Sequence, residues 1–172
     1  MMLFNYRRHA KKNSYKYGYK RFKDDILGIV IHNTGLTNDT AKNECDYFAT
    51  GNTRCAGAHI FIDLDGKAGK SISLDKIAWS VGDSANGHGK YYNTLNNTNT
   101  VSIELCAILN REISEAQKKK LISVIKYIKR HCPNVKYIVR HYDITTKDCP
   151  SYYVAHKDEW LKLQKELLQY IK

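Results

Sequence analysis

The sequence is organised around residues 135 to 150, VKYIVRHYDITTKDCP. The first part of this stretch, Val135 to Val139, is rich in β-branched and aromatic residues and predicts a strand. His141 follows the strand end, and Lys147 and Cys149 lie in the polar loop after it. Loops at strand ends are where sheet proteins usually hold their chemistry. The stretch therefore predicts a functional loop that carries an imidazole, an ammonium and a thiol.

A second histidine has the same placement. His32 ends the strongest apolar run of the chain, ILGIVI at residues 26 to 31, which predicts a buried strand. Imidazole and thiolate groups are preferred zinc ligands, and hydrolytic zinc sites use three protein ligands and leave a fourth position to water. His32, His141 and Cys149 therefore form a candidate zinc site, although the chain has neither an H-E-x-x-H nor a C-x-x-C spacing.

The same loop permits a different chemistry. Cys149 would be the nucleophile of a cysteine hydrolase, His141 its general base, and Lys147 the cation that favours the thiolate. No local signature of a cysteine peptidase surrounds Cys149, which precedes a proline instead of opening a helix. The residues favour the metal site over the thiol nucleophile.

Length and composition restrict the class of protein. The chain has 172 residues, 42% of them hydrophobic, which is enough for one domain with a core. No run approaches the roughly 18 apolar residues of a membrane span, and the N-terminus lacks the apolar segment of a signal peptide. Five cysteines without regular spacing favour a reducing compartment over a disulfide framework. We expect one domain, made in the cytoplasm without a visible export signal.

Positive charge is concentrated at the N-terminus. Residues 1 to 23 contain eight Lys and Arg and no Asp or Glu, so the remaining 20 basic against 17 acidic residues contribute only +3 of the formal +11. Basic segments with tyrosines can bind nucleic acid, but a solvated arm attracted to any polyanion is the more general interpretation. We define residues 1 to 24 as a basic N-terminal arm and 25 to 172 as the domain. Removing the arm should weaken binding to an anionic wall and leave turnover of a soluble substrate near normal.

The remainder of the chain alternates strands and helices. Beyond the buried run at 26–32, strands are expected at 58–63, 67–73, 77–81, 101–108 and 135–139. Helices are expected from about 38 to 51, from the capping box at Ser114 to before Pro133, and from about His156 to the end. The pattern predicts a single α/β domain with a central mixed β-sheet flanked by helices. The Gly- and Asn-rich segment 82–99 is expected to form one wall of a substrate groove.

One carboxylate interrupts an apolar strand. Glu104 lies between Ile103 and Leu105 in the strand expected at 101–108. By burial preference alone, a charged residue in such a strand belongs on its exposed face. The residue pattern by itself therefore gives Glu104 no catalytic role.

Five motifs then occur in order along the chain. They are IVIHNT at 29–34, GAHIFID at 57–63, IAWSVG at 77–82, NTVSIEL at 99–105, and the stretch from Arg140 to Pro150. Together they resemble the type 2 N-acetylmuramoyl-L-alanine amidases, a zinc family that includes phage endolysins, bacterial autolysins and peptidoglycan recognition proteins. The resemblance covers roughly residues 26 to 165.

The resemblance implies roles for individual residues. It implies a mixed sheet with flanking helices and a zinc ion held by His32, His141 and Cys149. Lys147, two residues before the third ligand, would stabilise the oxyanion, and Glu104 would be the general base. By the same resemblance His59 and Trp79 would contact substrate, against the alternatives of a buried structural histidine and a packing tryptophan.

The implied reaction is hydrolysis of the amide between N-acetylmuramic acid and L-alanine in peptidoglycan. Some family members have a tyrosine at the position of Ala58, so the acid-base role here would fall to Glu104; others read Trp-His where this chain has Trp79-Ser80. Non-catalytic relatives typically lack the cysteine ligand, so the presence of Cys149 favours an enzyme over a peptidoglycan-binding or polyanion-binding module.

The resemblance also implies a biological setting. The chain is similar to phage or prophage endolysins, which wait in the host cytoplasm and act at the bacterial cell wall once the membrane is breached. The expected partner is peptidoglycan, with anionic wall polymers bound through the basic arm and no specific nucleic acid. No separate wall-binding domain is visible, so either the chain is a catalytic fragment or the arm takes that role.

Overall fold

The computed structural model describes residues 2–82 and 86–172 and shows one six-stranded sheet with helices on its faces. The strands are β1 (Tyr6–Arg7), β2 (Gly28–Asn33), β3 (Ile60–Ile62), β4 (Ala68–Lys70), β5 (Thr100–Leu105) and β6 (Tyr137–Arg140). The helices are α1 (Ala41–Asp46), α2 (Glu115–His131), α3 (Tyr142–Thr145), α4 (Ser151–Ala155) and α5 (Lys157–Leu168). The strand order is β1-β4-β3-β5-β2-β6, and every neighbouring pair is parallel except β3 and β4. The predicted α/β domain with a central mixed sheet is confirmed.

The two faces of the sheet are covered differently. Ile29 and Ile31 of β2 belong to the main core, which Leu121 of α2 and Trp160 of α5 complete. The alternate residue Val30 faces a smaller cluster on the other side, and α1 covers only part of that side. A cavity therefore remains on it beside the ends of the central strands.

The helices follow the sequence signals with small shifts. The region expected to be helical from about 38 to 51 divides into α1 and a π-helical turn at Tyr47–Gly51. Ser114 caps α2 by accepting a hydrogen bond from the Gln117 backbone at 3.0 Å, as the capping box predicted. None of the helices in the described ranges is long and apolar enough to cross a bilayer.

The strand predicted at 77–81 is wrong. In the structure only Ala78 makes an isolated bridge, to Tyr15 of the N-terminal segment. Ile77, Ala78 and Val81 are buried. Ala78 packs in a cluster with Ala10 and Tyr15 of the N-terminal segment, and Val81 packs in the cluster that contains Val30. The apolar pattern therefore predicted burial correctly, but it did not predict the element type. The expected groove wall at 82–99 falls partly on residues 83–85, which lie outside the described residues.

The N-terminal segment packs on the domain. β1 forms a parallel edge strand beside β4, and Phe4 is buried edge-on against Tyr127 of α2 with 5.2 Å between ring centroids. Arg21, at the other end of the segment, is only 5% exposed. These contacts were not foreseen because the segment lacks apolar periodicity. A functional boundary at residue 24 stays a prediction.

Candidate functional site

Strand register brings the first three site residues together. β2 pairs in parallel with β6, with Ile31 opposite Arg140, so His32 and His141 follow at the same edge of the sheet. Their ring centroids are 4.7 Å apart. On its other side β2 pairs with β5, where Glu104 lies opposite His32. Three strand ends therefore deliver two imidazoles and one carboxylate to one place.

The loop after β6, stabilised by internal hydrogen bonds, places the Cys149 thiol at the same position. After β6 the chain turns through α3, and Thr146 adopts a left-handed conformation with φ 58° that reverses its direction. The Arg140 guanidinium donates to Asp143 at 2.7 Å and to the Tyr153 carbonyl at 2.7 Å, which fixes the loop from within. The Tyr142 backbone donates to the Cys149 carbonyl at 2.9 Å. These bonds hold Cys149 over the strand ends.

The three donors have the arrangement of a metal site. Ligand atoms of His32, His141 and Cys149 all lie within 4.8 Å of one another, and all three residues are buried. Cys149 Sγ is 3.7 Å from His32 Nδ1, which matches the separation expected between ligands about 2.0 to 2.3 Å from a tetrahedral zinc ion. His32 Nε2 is buried and has no hydrogen-bond partner among the described residues. The donor set fits zinc.

Burial sets the protonation of these donors. Burial, followed by the charges of His141 and Lys147, lowers the pKa of His32 well below its usual value. His32 is therefore neutral at physiological pH and keeps a lone pair for a ligand. Burial, helped by the charge of Glu104, raises the pKa of the Cys149 thiol to about 12. A divalent cation in the site would favour the thiolate and reverse that shift.

Glu104 faces the same site. Its Oε1 atom is 4.0 Å from His32 Nδ1, and its side chain is 19% exposed, so it does not lie on a solvent-facing side of the sheet. Burial, together with the charge of Glu44, raises the pKa of Glu104 to about 8, while Lys147 opposes the shift. A carboxyl with this pKa beside a cation site has the properties of an acid-base group.

A cavity of about 1020 Å³ opens over these groups. It is large enough for a drug-sized or short peptide ligand. Six of the seven residues singled out from the sequence line it: His32, Trp79, Glu104, His141, Lys147 and Cys149. Donor cluster, carboxylate and cavity therefore form one site.

Comparison with known proteins agrees with this geometry. The sequence model of the N-acetylmuramoyl-L-alanine amidase family matches residues 22–152. The chain belongs to the type 2 N-acetylmuramoyl-L-alanine amidase family. All five motifs recognised in the sequence lie within that match.

Individual relatives show how far the likeness extends. The amidase CwlL of Bacillus licheniformis is 29% identical over 150 residues, which cover 83% of this chain and 41% of CwlL. The chain thus spans about two fifths of the length of that relative. Among solved structures, PlyL has a TM-score of 0.71 at 21% identity, covering 94% of this chain and 95% of PlyL. The catalytic domain of XlyA has a TM-score of 0.69 at 20% identity, covering 97% and 98%. These structures share the fold of this amidase-family chain.

His59 is the one singled-out residue that does not line the cavity. It is fully buried. Its Nδ1 atom lies 2.9 Å from Ser102 Oγ, and its Nε2 atom lies 3.0 Å from Arg21 and 3.1 Å from the Lys76 carbonyl. Burial, and next the Arg21 charge, lower its pKa to about 3, so the imidazole is neutral. This placement supports a structural histidine in the amidase fold and gives no support to substrate contact.

The cavity also contains charged residues that the sequence did not single out. Glu44 and Arg54 line it on the side of α1. Burial and the neighbouring Asp39 raise the pKa of Glu44 to about 8. The helical pattern expected at 38 to 51 gave no sign that Glu44 borders a cavity. Only the position of α1 over β3 and β4 shows that these charges border the amidase-family site.

Proposed function

We propose that the chain is a zinc-dependent N-acetylmuramoyl-L-alanine amidase that hydrolyses the amide between N-acetylmuramic acid and L-alanine in peptidoglycan. The observation that carries the proposal is the buried His32, His141 and Cys149 cluster with Glu104 beside it at the base of one cavity. When bound, zinc would polarise the scissile carbonyl and lower the pKa of bound water to about 7.

Glu104 is the proposed proton carrier. The carboxylate accepts the proton of the attacking water and passes it to the leaving amine of L-alanine. Glu104 Oε1 is 4.0 Å from His32 Nδ1, so a cation held by His32, His141 and Cys149 would favour ionised Glu104 over the neutral form that burial favours. The same burial keeps its proton affinity high enough for transfer near neutral pH.

Lys147 is the proposed electrostatic partner of the transition state. It lines the cavity, and its positive charge opposes the raised pKa of both Glu104 and Cys149. Its ammonium is therefore close to the reacting region and on the exposed side of it. There it stabilises negative charge that develops on the carbonyl oxygen. Trp79, on the cavity wall, is the proposed substrate contact.

The thiol-nucleophile alternative has weaker support. A cysteine nucleophile needs a low thiol pKa and a base of ordinary basicity. Here the pKa of Cys149 is raised to about 12, and the imidazole of His32, 3.7 Å from Cys149 Sγ, has a lowered pKa. These shifts disfavour ion-pair activation.

The basic arm is a proposed contact to anionic wall polymers. Tyr17 and Phe22 are exposed, at 61% and 80%, and Lys12 and Lys16 lie 4.3 and 4.6 Å from the ring centroids of Tyr17 and Tyr19. Exposed aromatic rings beside lysine ammonium groups suit a polyanionic, sugar-containing surface. Nucleic acid should be retained only in a salt-sensitive, sequence-independent way. In this setting the protein would act at the bacterial wall as a phage or prophage endolysin.

Mass spectrometry of digested peptidoglycan tests the proposed bond specificity. Digestion should release stem peptides with a free L-alanine amino group and leave intact glycan strands. New reducing sugar ends, or cleavage within the stem peptide, would assign the chain a different hydrolase activity.

A further inference from the structure

The cavity wall that carries Trp79 depends on the N-terminal segment. The Trp79 backbone donates to the Ser14 carbonyl at 3.1 Å, and the Lys16 backbone donates to the Ile77 carbonyl at 2.9 Å. On its other side Trp79 accepts a hydrogen bond from the Gly57 backbone at 3.1 Å. A Cβ at Gly57 would lie 2.7 Å from the Ser14 carbonyl oxygen, so only glycine permits this approach. The wall is therefore held between the N-terminal segment and the loop before β3.

Arg21 secures this arrangement from the inside. Its guanidinium donates to the carbonyls of Leu74 at 3.0 Å, Asn97 at 3.1 Å and Thr98 at 2.9 Å. A fourth contact joins Arg21 to His59 Nε2 at 3.0 Å. One buried side chain thus fastens the N-terminal segment to the chain before and after the cavity wall.

Asn97 connects the Arg21 hydrogen bonds to the cavity wall. Its side-chain oxygen accepts hydrogen bonds from the backbone of Ser80 at 2.9 Å and of Val81 at 2.8 Å. Asn97 and Ser80 both line the cavity with Trp79. Because Arg21 holds the Asn97 backbone, a continuous set of hydrogen bonds runs from Arg21 to the cavity surface.

We infer that Arg21 is a positioning residue for substrate binding, which makes the N-terminal segment a structural part of the cavity wall. The inference rests on the proposed amidase function, since it concerns the wall of that site. Among the described residues, the hydrogen bonds of Arg21 go to Leu74, Asn97, Thr98 and His59 and not to the proposed zinc ligands or Glu104. Its loss should therefore impair binding of substrate more than the chemical step.

Kinetics on a soluble muramyl peptide test the inference. Arg21→Met, which keeps length and loses every hydrogen bond, should raise KM by about tenfold or more, with kcat within about threefold and zinc content unchanged. Arg21→Lys should recover part of the loss, because an ammonium still donates to carbonyls. Lys23→Met removes one charge from the same segment without these bonds and should match the parent. A KM for Arg21→Met equal to that of Lys23→Met would overturn the inference.

A second pair of variants keeps the test decisive if Arg21→Met does not fold. Asn97→Ala removes the acceptor for Ser80 and Val81, whereas Asn97→Asp keeps an acceptor oxygen, so the alanine variant should have the higher KM of the two. Equal KM values for the two would contradict the proposed hydrogen-bond route.

Tryptophan fluorescence gives a readout independent of amidase activity. The chain has two tryptophans, so Trp160→Phe leaves Trp79 as the only reporter. In that background Arg21→Lys and Asn97→Ala should increase acrylamide quenching of Trp79, and Lys23→Met should not. Unchanged quenching would refute the positioning role even if the chain proved to cleave another bond.

Discussion

Glu104 is a single residue held between opposing electrostatic effects. Burial and Glu44 favour its neutral form, and Lys147 favours its charged form. A base in that position can change protonation during turnover, whereas a fully exposed carboxylate with an ordinary pKa would transfer protons less effectively near neutral pH. The acid-base role proposed for Glu104 therefore depends on its surroundings, which the strand pattern alone did not reveal.

Glu104→Gln should fold and bind zinc normally but lose on the order of 10²–10⁴ in kcat, because the amide keeps the shape and cannot accept the proton. Steady-state kinetics with metal analysis measure both quantities. Glu104→Ala should be equally inactive. Near-parental turnover would show that Glu104 is not catalytic, and loss of zinc would show that Glu104 is a metal ligand.

Cys149→Asp should bind zinc and keep reduced but measurable activity, because a carboxylate also ligates zinc. A carboxylate cannot replace a thiol nucleophile, so the cysteine-hydrolase alternative requires complete loss. Cys149→Ala is the matched control and should lose most of the metal. Activity in the aspartate variant that depends on added zinc would exclude the thiol mechanism.

His59 should make stability depend on pH. Its pKa is about 3 in the folded chain against 6.5 for an ordinary histidine, so below pH 6.5 the unfolded chain binds a proton that the folded chain does not. Stability therefore falls as the pH drops from about 6.5 towards 3, by about 2 kcal/mol between pH 7.5 and 5 from this group. Urea unfolding in chelator should show that His59→Gln lacks this part of the pH dependence; an unchanged dependence would contradict a neutral buried imidazole.

At the scale of secondary-structure elements, periodic apolar patterns in the sequence predicted the helices and strands whose formation depends on local interactions. β2 and α2 have strong apolar patterns and formed where expected, because the sheet core buries those patterns. The capping box at Ser114 was only half realised: the Gln117 side chain donates to the Ile62 and Cys106 carbonyls instead of reaching back to the cap. The hydrogen-bond partners of the Gln117 side chain come from segments outside α2, so the local capping pattern does not predict them.

Removing residues 1 to 23 should impair the domain itself. The deletion takes away β1, the buried Phe4 and the Arg21 hydrogen bonds. The sequence alone predicts near-normal turnover on a soluble substrate. Because of these contacts we now propose instead that the deletion lowers the melting temperature and raises KM. A triple replacement of the exposed Lys12, Lys16 and Lys20 by Gln is the control, which should weaken salt-dependent wall binding and leave soluble turnover unchanged. If the deletion variant behaved like this control, residues 1 to 23 would be an arm that the domain does not need for soluble turnover.

At the scale of the whole molecule, the residues of the candidate metal site could be grouped from the sequence, but the packing that shapes the cavity around them could not. His32, His141 and Cys149 could be grouped from strand ends and from family resemblance, and the structure brings them together. The contacts of Arg21 and Asn97 and the position of Glu44 beside the cavity could not be predicted, because each depends on packing between segments that are distant in the chain. Strand-end chemistry is local in sequence, whereas the shape of a cavity is not.

The central claim is that one zinc ion held by His32, His141 and Cys149 supports amide cleavage. Titration of zinc into chelator-treated protein, followed by release of L-alanine amino termini from peptidoglycan, tests it most directly. Activity should be absent without metal, rise linearly, and saturate at about one zinc per chain. Full activity in metal-free protein that is abolished by thiol alkylation would contradict the account.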